Sequence, residues 1–274
     1  NTSAYWWRES YDSEKNGVLT NFMENYYLKD GTDPSWPKVG ESEPRPISHW
    51  FDIIDNIEVR FRLDHIAPGA PSLSNPGDGN WSLEGWGRKT GNTRGINNFP
   101  GTGEYGAAGG CNTKFYYKAG GRVWFEAPLF RLAETYLNLA EAYNEKGNSA
   151  KALENLNKVH NRAGLPAITE TNQEKLRRII WREKAIEFKG ENLRYYDVKH
   201  WKHPDIDNGI IGGQMRELQF YVDEGLDRHG NIPECLISYW DANAYYSYWN
   251  PKMYLEPIPQ GEVNKGILIQ NPGY

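Results

Sequence analysis

The segment from Phe130 to Gly164, FRLAETYLNLAEAYNEKGNSAKALENLNKVHNRAG, constrains the fold more than any other part of the chain. Its apolar residues recur at helical spacing in two runs joined by a turn. Leu129, Leu132, Ala133, Tyr136, Leu137, Ala140 and Tyr143 fall three and four residues apart and form one stripe. Gly147 ends that helix, and Asn148 and Ser149 are N-cap residue types. Ala152, Leu153, Leu156, Val159 and Ala163 form a second stripe, closed by Gly164 with Pro166 behind it. A helical hairpin follows. Its order of sizes is that of a tetratricopeptide unit: Tyr136, Leu139, small Ala140 and aromatic Tyr143 in the first helix, then small Ala152 and large Leu156 in the second. An ordinary antiparallel pair with the same stripes is the plainer alternative.

A second pair follows the first. Thr171 with Glu174 reads as a capping box, and Leu176, Ile179, Ile180, Ala185, Ile186 and Phe188 carry a helix to Gly190. Another runs from about Glu191 to Lys202 and stops at Pro204. Repeat arrays need about three units, because one helix pair cannot bury its faces alone. Two pairs must therefore be covered by the irregular stretches of this chain or by a segment outside it. Before the hairpin, Val18 to Leu28 has helical spacing, Ile53 to Leu63 reads as a strand or short helix, and Gly69 to Gly121 is dense in turn residues. Irregular stretches of that length inside a folded chain are generally functional or disordered, and Trp81, Trp86, Tyr105 and Tyr116 point to ordered loops held by aromatic anchors. The predicted class is all-α, with tetratricopeptide-like helical hairpins and long irregular loop regions packed against them. Residues 1–125 form an irregular, aromatic, loop-rich region, 126–204 the tandem helix pairs, and 205–274 a loop and tail packed on the helices.

Composition narrows the function classes. The formal net charge is -5, and no Lys/Arg run exceeds two residues, so the chain lacks the basic footprint that nucleic acid requires. No window approaches the ~20 apolar residues of a membrane span, and no signal peptide or lipidation motif opens the chain at Asn1. Cys111 and Cys235 allow at most one disulfide, and whether they pair stays open. His200 and His203 have ligand-like spacing but no third ligand, and Asp205 to Gly209 departs from a calcium loop, so neither a metal nor a cofactor is expected. Eleven Trp and 18 Tyr accompany a mean hydropathy of -0.78. Large aromatic faces on a polar background suit stacking on flat ligands, although aromatics filling the core between loops account for many of them.

Three motifs together carry a resemblance. The first is Arg131, Glu134, Leu137, Ala140-Glu141-Ala142, then Leu156-Asn157, Val159 and Arg162-Ala163-Gly164-Leu165-Pro166. The second is Ile180, Glu183, Glu187, Gly190-Glu191, Arg194, Asp197 and Trp201, and the third is the closing Pro257-Ile258-Pro259, Glu262 and Gln270-Asn271-Pro272-Gly273-Tyr274. In this order they resemble the C-terminal half of the SusD/RagB family of outer-membrane nutrient-binding lipoproteins. The match is close over Phe125 to Pro204 and Tyr254 to Tyr274, and loose elsewhere.

The resemblance implies a protein that captures a glycan, or in some members a peptide, at the cell surface and delivers it to a SusC-like TonB-dependent transporter without catalysis. It implies further that the N-terminal half of the architecture lies outside this chain and that membrane attachment is through a lipid anchor also outside it. Sugar rings lay apolar C–H faces on Trp and Tyr, while their hydroxyls bond to nearby polar groups. The ligand-binding candidates are therefore Trp6, Trp7, Tyr11, Trp36 and Trp50, with the loop residues Trp81, Trp86, Arg88, Asn92 and Arg94. The aromatic run from Tyr239 to Trp249 reads instead as packing for the tail. Two other readings compete: a helical glycoside hydrolase or lyase whose acid and base are Glu183 and Glu187, four residues apart on one helix face, and a repeat concavity that binds a partner peptide. Arg178, Arg182, Arg194 and Asp197 stand close enough to make those glutamates part of an ion-pair network.

Overall fold

A computed structural model describes residues 18–38, 45–66, 111–112, 114, 128–222, 235–240 and 246–274. The hairpin forms as its sequence dictates. Helix α4 (Leu132–Glu145) runs to Gly147, whose φ of +73° ends it, and α5 (Ser149–His160) starts where the Asn148 side chain accepts the Lys151 N–H at 3.1 Å. A short 3-10 turn, Asn161–Ala163, leads to Gly164 at φ +81°. Helix α6 (Gln173–Glu187) then packs across the pair. Its N-cap is Asn172, which accepts the Lys175 N–H, one residue beyond the capping box expected at Thr171. Asn172 is the last residue with an extended backbone, so its side chain, not that of Thr171, caps the first turn, on the Lys175 amide.

The core between these helices is made of Ala133, Leu137, Ala140, Ala152, Leu156, Val159, Leu176, Ile180 and Phe188. Ala140 and Ala152 are fully buried, which permits the close helix approach that the size pattern requires. Tyr136 and Tyr143 flank this core, with the Lys158 and Lys151 ammonium groups 4.8 and 5.2 Å from their ring centroids. Asn144 and Gln173 exchange side chain to backbone bonds of 3.0 and 2.7 Å, tying the end of α4 to the start of α6. Helix α7 (Arg194–His200) closes the second pair, and Trp181 stacks on Trp201 at 4.7 Å.

The earlier residues hold more regular structure than their spacing suggests. They contain α1 (Thr20–Met23), α2 (Ile47–Asn56) and α3 (Val59–Asp64). The Ile53 to Leu63 stretch is two helices, broken where Ile57 leaves α2 to pair with Leu28 in an isolated bridge. Small sheets accompany the dominant helices. Strand β1 (Arg45–Pro46) pairs with β6 (Cys235–Trp240), which pairs in turn with β5 (Glu217–Val222), all antiparallel. Two shorter ladders join β2 (His65–Ile66) to β3 (Cys111–Asn112) and β4 (Gly213–Gln214) to β7 (Tyr246–Ser247). The two cysteines thus lie in different sheets. In the tail, Trp249 is buried against Val198 and Ile206, Lys199 pairs with Glu256 at 2.5 Å, and a 3-10 turn (Pro251–Tyr254) precedes α8 (Gln260–Val263). Among the described residues no helix is long and apolar enough to cross a membrane.

Candidate functional site

Glu183 and Glu187 are the residues on which a catalytic reading would rest, and both are buried. Their partners come from far along the chain. Arg60 on α3 donates from Nη1 to Glu183 Oε1 at 2.6 Å and from Nε to Glu58 Oε2 at 2.6 Å, while His160 Nδ1 lies 2.9 Å from Glu183 Oε2. Glu187 accepts from Arg131 at 2.9 Å and Arg162 at 2.5 Å, and Glu191 takes Arg131 and Lys114, each at 2.7 Å. Burial would raise the Glu183 carboxyl, but Arg60 and His160 override it and hold it at about 2. A general acid needs the opposite shift and contact with substrate. The expectation of an ion-pair network holds, with different partners. Arg178 reaches Glu174 and Asp205, Arg182 reaches Asp33, and Asp197 meets the buried Lys184.

An open cleft of about 430 Å³ lies between residues 28–35 and α2. One wall is the turn carrying Leu28, Lys29 and Asp30, with Ser35 beyond it; the other is the face of α2 that presents His49, Asp52, Ile53 and Asn56. The volume falls in the range of small-ligand sites. Leu28 and Ile53 supply apolar surface. Thr32 donates its hydroxyl and its amide to Asp30 at 2.6 and 2.9 Å, and these two bonds hold the Asp30 carboxyl below its usual range. Lys29 Nζ donates to the Asp55 carbonyl at 2.5 Å, and Asn56 Nδ2 to the Asp52 carbonyl at 2.8 Å. His49 Nε2 stands 2.6 Å from the Ser35 carbonyl oxygen and 2.6 Å from Arg45 Nη1. Polar side chains thus border an apolar patch, the mixture found in small-ligand sites. Among the described residues no group of three or more His, Cys, Asp and Glu could hold a metal ion.

The SusD family model matches residues 8–274. The chain belongs to the SusD family. Among its relatives, SusD-like protein P25 of Formosa agariphila is 38% identical over 156 residues, which are 53% of this chain and 24% of that protein. SusD-like protein P2 of the same organism is 32% identical over 155 residues, 53% of this chain and 25% of that protein. Of solved structures, a SusD-like protein from Bacteroides fragilis is 24% identical, with a TM-score of 0.68 over 97% of this chain and 50% of its own. A SusD-like carbohydrate binding protein from the same species is 21% identical, with a TM-score of 0.57 over 90% of this chain and 46% of its own. This SusD-family chain therefore has the helical fold of those structures and spans about a quarter of the curated relatives' length.

Of the ten ligand-binding candidates, Trp6, Trp7, Tyr11, Trp81, Trp86, Arg88, Asn92 and Arg94 lie outside the described residues. Trp36 and Trp50 are 7% and 0% exposed and pack on each other, with ring centroids 6.1 Å apart. Neither lines the cleft. The cleft residues are polar or aliphatic rather than aromatic, so the aromatic pattern of the sequence does not mark them. The legible signal was the stripe of His49, Asp52 and Asn56 at helical spacing beside Trp50. His203, half of the possible metal pair, is buried beside Trp181, and its Nδ1 accepts the Asp205 N–H at 3.1 Å. Burial, followed by the nearby Arg194 charge, pulls it down to about 4.

Proposed function

We propose that this protein captures a glycan at the cell surface and passes it to a SusC-like TonB-dependent outer-membrane transporter, performing no chemistry on it. Membership of the SusD family across residues 8–274 is the observation that carries this reading. The cleft between the Leu28–Asp30 turn and α2 is the ligand site proposed among the described residues, and its mixture of apolar and polar groups supports a sugar ligand. Trp6, Trp7, Tyr11, Trp81, Trp86, Arg88, Asn92 and Arg94 stay ligand-binding candidates on the strength of the sequence, while Trp36 and Trp50 are buried in the core. The hydrolase reading is disfavoured by Glu183, which is fully buried and held ionised by Arg60.

The helix pairs of residues 126–204 serve as scaffold in this reading. On α4, Leu132 and Leu139 are 64% and 39% exposed, and Leu129 and Phe130 just before it are 87% and 86% exposed. That apolar strip is the surface proposed to meet the remaining part of the architecture, which also carries the lipid anchor. Affinity electrophoresis of the full-length protein against plant, host and microbial polysaccharides tests the function, with protein digests as the non-glycan control. Retardation by at least one glycan supports it, and binding of peptides alone replaces the glycan with a peptide ligand.

A further inference from the structure

Arg182 adjoins Glu183 in sequence but leaves the buried carboxylates and crosses to the first part of the chain. Its Nη1 pairs with Asp33 Oδ1 at 2.6 Å. Its Nε and Nη2 donate to the Asn25 and Tyr26 carbonyls at 2.5 and 3.2 Å. The guanidinium also lies 3.6 Å from the centroid of the Tyr27 ring, which is itself 4% exposed and meets His160 edge-on at 5.3 Å. One side chain thus grips both ends of the segment from Asn25 to Asp33. Between those ends lie Leu28, Lys29 and Asp30, one wall of the cleft.

The same segment is held on its other side by main chain. Leu28 bridges Ile57, the Lys29 N–H donates to the Asn56 carbonyl at 2.7 Å, and the Glu58 N–H donates to the Tyr27 carbonyl at 2.9 Å. The end of α2 therefore sets where the wall attaches, and α6 sets how far it stands out. We propose that Arg182 is the positioning residue of the glycan cleft, fixing the separation of its two walls from the helical scaffold. This rests on the cleft being the glycan site. A planar guanidinium serves both carbonyls, one carboxylate and one ring at once, whereas an ammonium is a single point charge.

The test uses the full-length protein and a retained glycan, with affinity measured per folded molecule and amide exchange measured across residues 28–33. R182A is expected to weaken binding by about tenfold, since charge-assisted bonds to the wall are lost. Exchange should rise at Leu28, Lys29 and Thr32 while α5 and α6 keep their protection. R182K should recover only part of the affinity. D33N, at a carboxylate whose side chain is 73% exposed, should weaken binding about threefold with Tm unchanged. If R182A fails to fold, R182K and D33N carry the test. Unchanged affinity in all three variants, or losses that follow only the unfolded fraction, overturns the proposal. D52A separates the two levels: normal binding by D52A removes the cleft as the glycan site and the proposal with it. Lost binding by D52A with normal binding by R182A and D33N removes the positioning role alone.

Discussion

Glu183 is fully buried between Arg60 and His160, partners that its own stretch of sequence does not point to. Spacing along α6 exposes only neighbours within a turn, whereas Arg60 lies 123 positions away and His160 on another helix. Nothing in a single sequence ranks one distant arginine above another. The structure predicts that Glu183→Gln, which leaves Arg60 buried without its main counter-charge, costs about 3–5 kcal/mol of stability by urea denaturation. Acid should act in two stages. His203 is held neutral at about 4 against an ordinary 6.5, so its contribution is present above pH 6.5 and is lost as pH falls towards 4. Glu183 is held at about 2 against 4.5, so its contribution, of order 3 kcal/mol, is present above pH 4.5 and is lost as pH falls towards 2. Thermal melts from pH 7 to pH 2 should therefore show a shallower acid slope below pH 4.5 in the Glu183→Gln variant than in the wild type.

At the scale of elements, the sequence was most informative where spacing is regular. Helices α4 and α5 were readable from their stripes and from Gly147 and Gly164, and their fully buried Ala140 and Ala152 bear out the size pattern. Enlarging Ala152 to Leu is expected to cost about 1–3 kcal/mol by overpacking, while Leu156→Ala should cost about 2–5 kcal/mol by opening a cavity. Gly164 offers a cleaner test of backbone conformation. A Cβ there would meet nothing within 4 Å, so Gly164→Ala should cost only the left-handed penalty at φ +81°, about 1 kcal/mol. The short elements of the first part were hidden for a physical reason. Helix α2 buries Trp50, Ile53 and Ile54 at helical spacing, but the stripe breaks at Ile57, where the chain leaves the helix to bridge Leu28, and β5 and β6 pair across residues too far apart for a hairpin signal.

For the molecule as a whole, aromatic content suited stacking on flat ligands but marked no place for it. Trp36 and Trp50 show why: a tryptophan at helical spacing packs a core or stacks on a sugar with the same sequence signature, and burial decides between them. The polar stripe of α2 and the turn at Leu28–Asp30 acquire meaning only when Arg182 and Ile57 bring them face to face. Binding of a glycan without its cleavage is what we propose for this SusD-family protein. Its most direct test follows retardation of the full-length protein by a glycan panel together with release of reducing ends from the same glycans. The expected result is retardation by at least one glycan, diminished in D52A, with no reducing ends released. Release of reducing ends that disappears in Glu183→Gln or Glu187→Gln variants that still fold would contradict it.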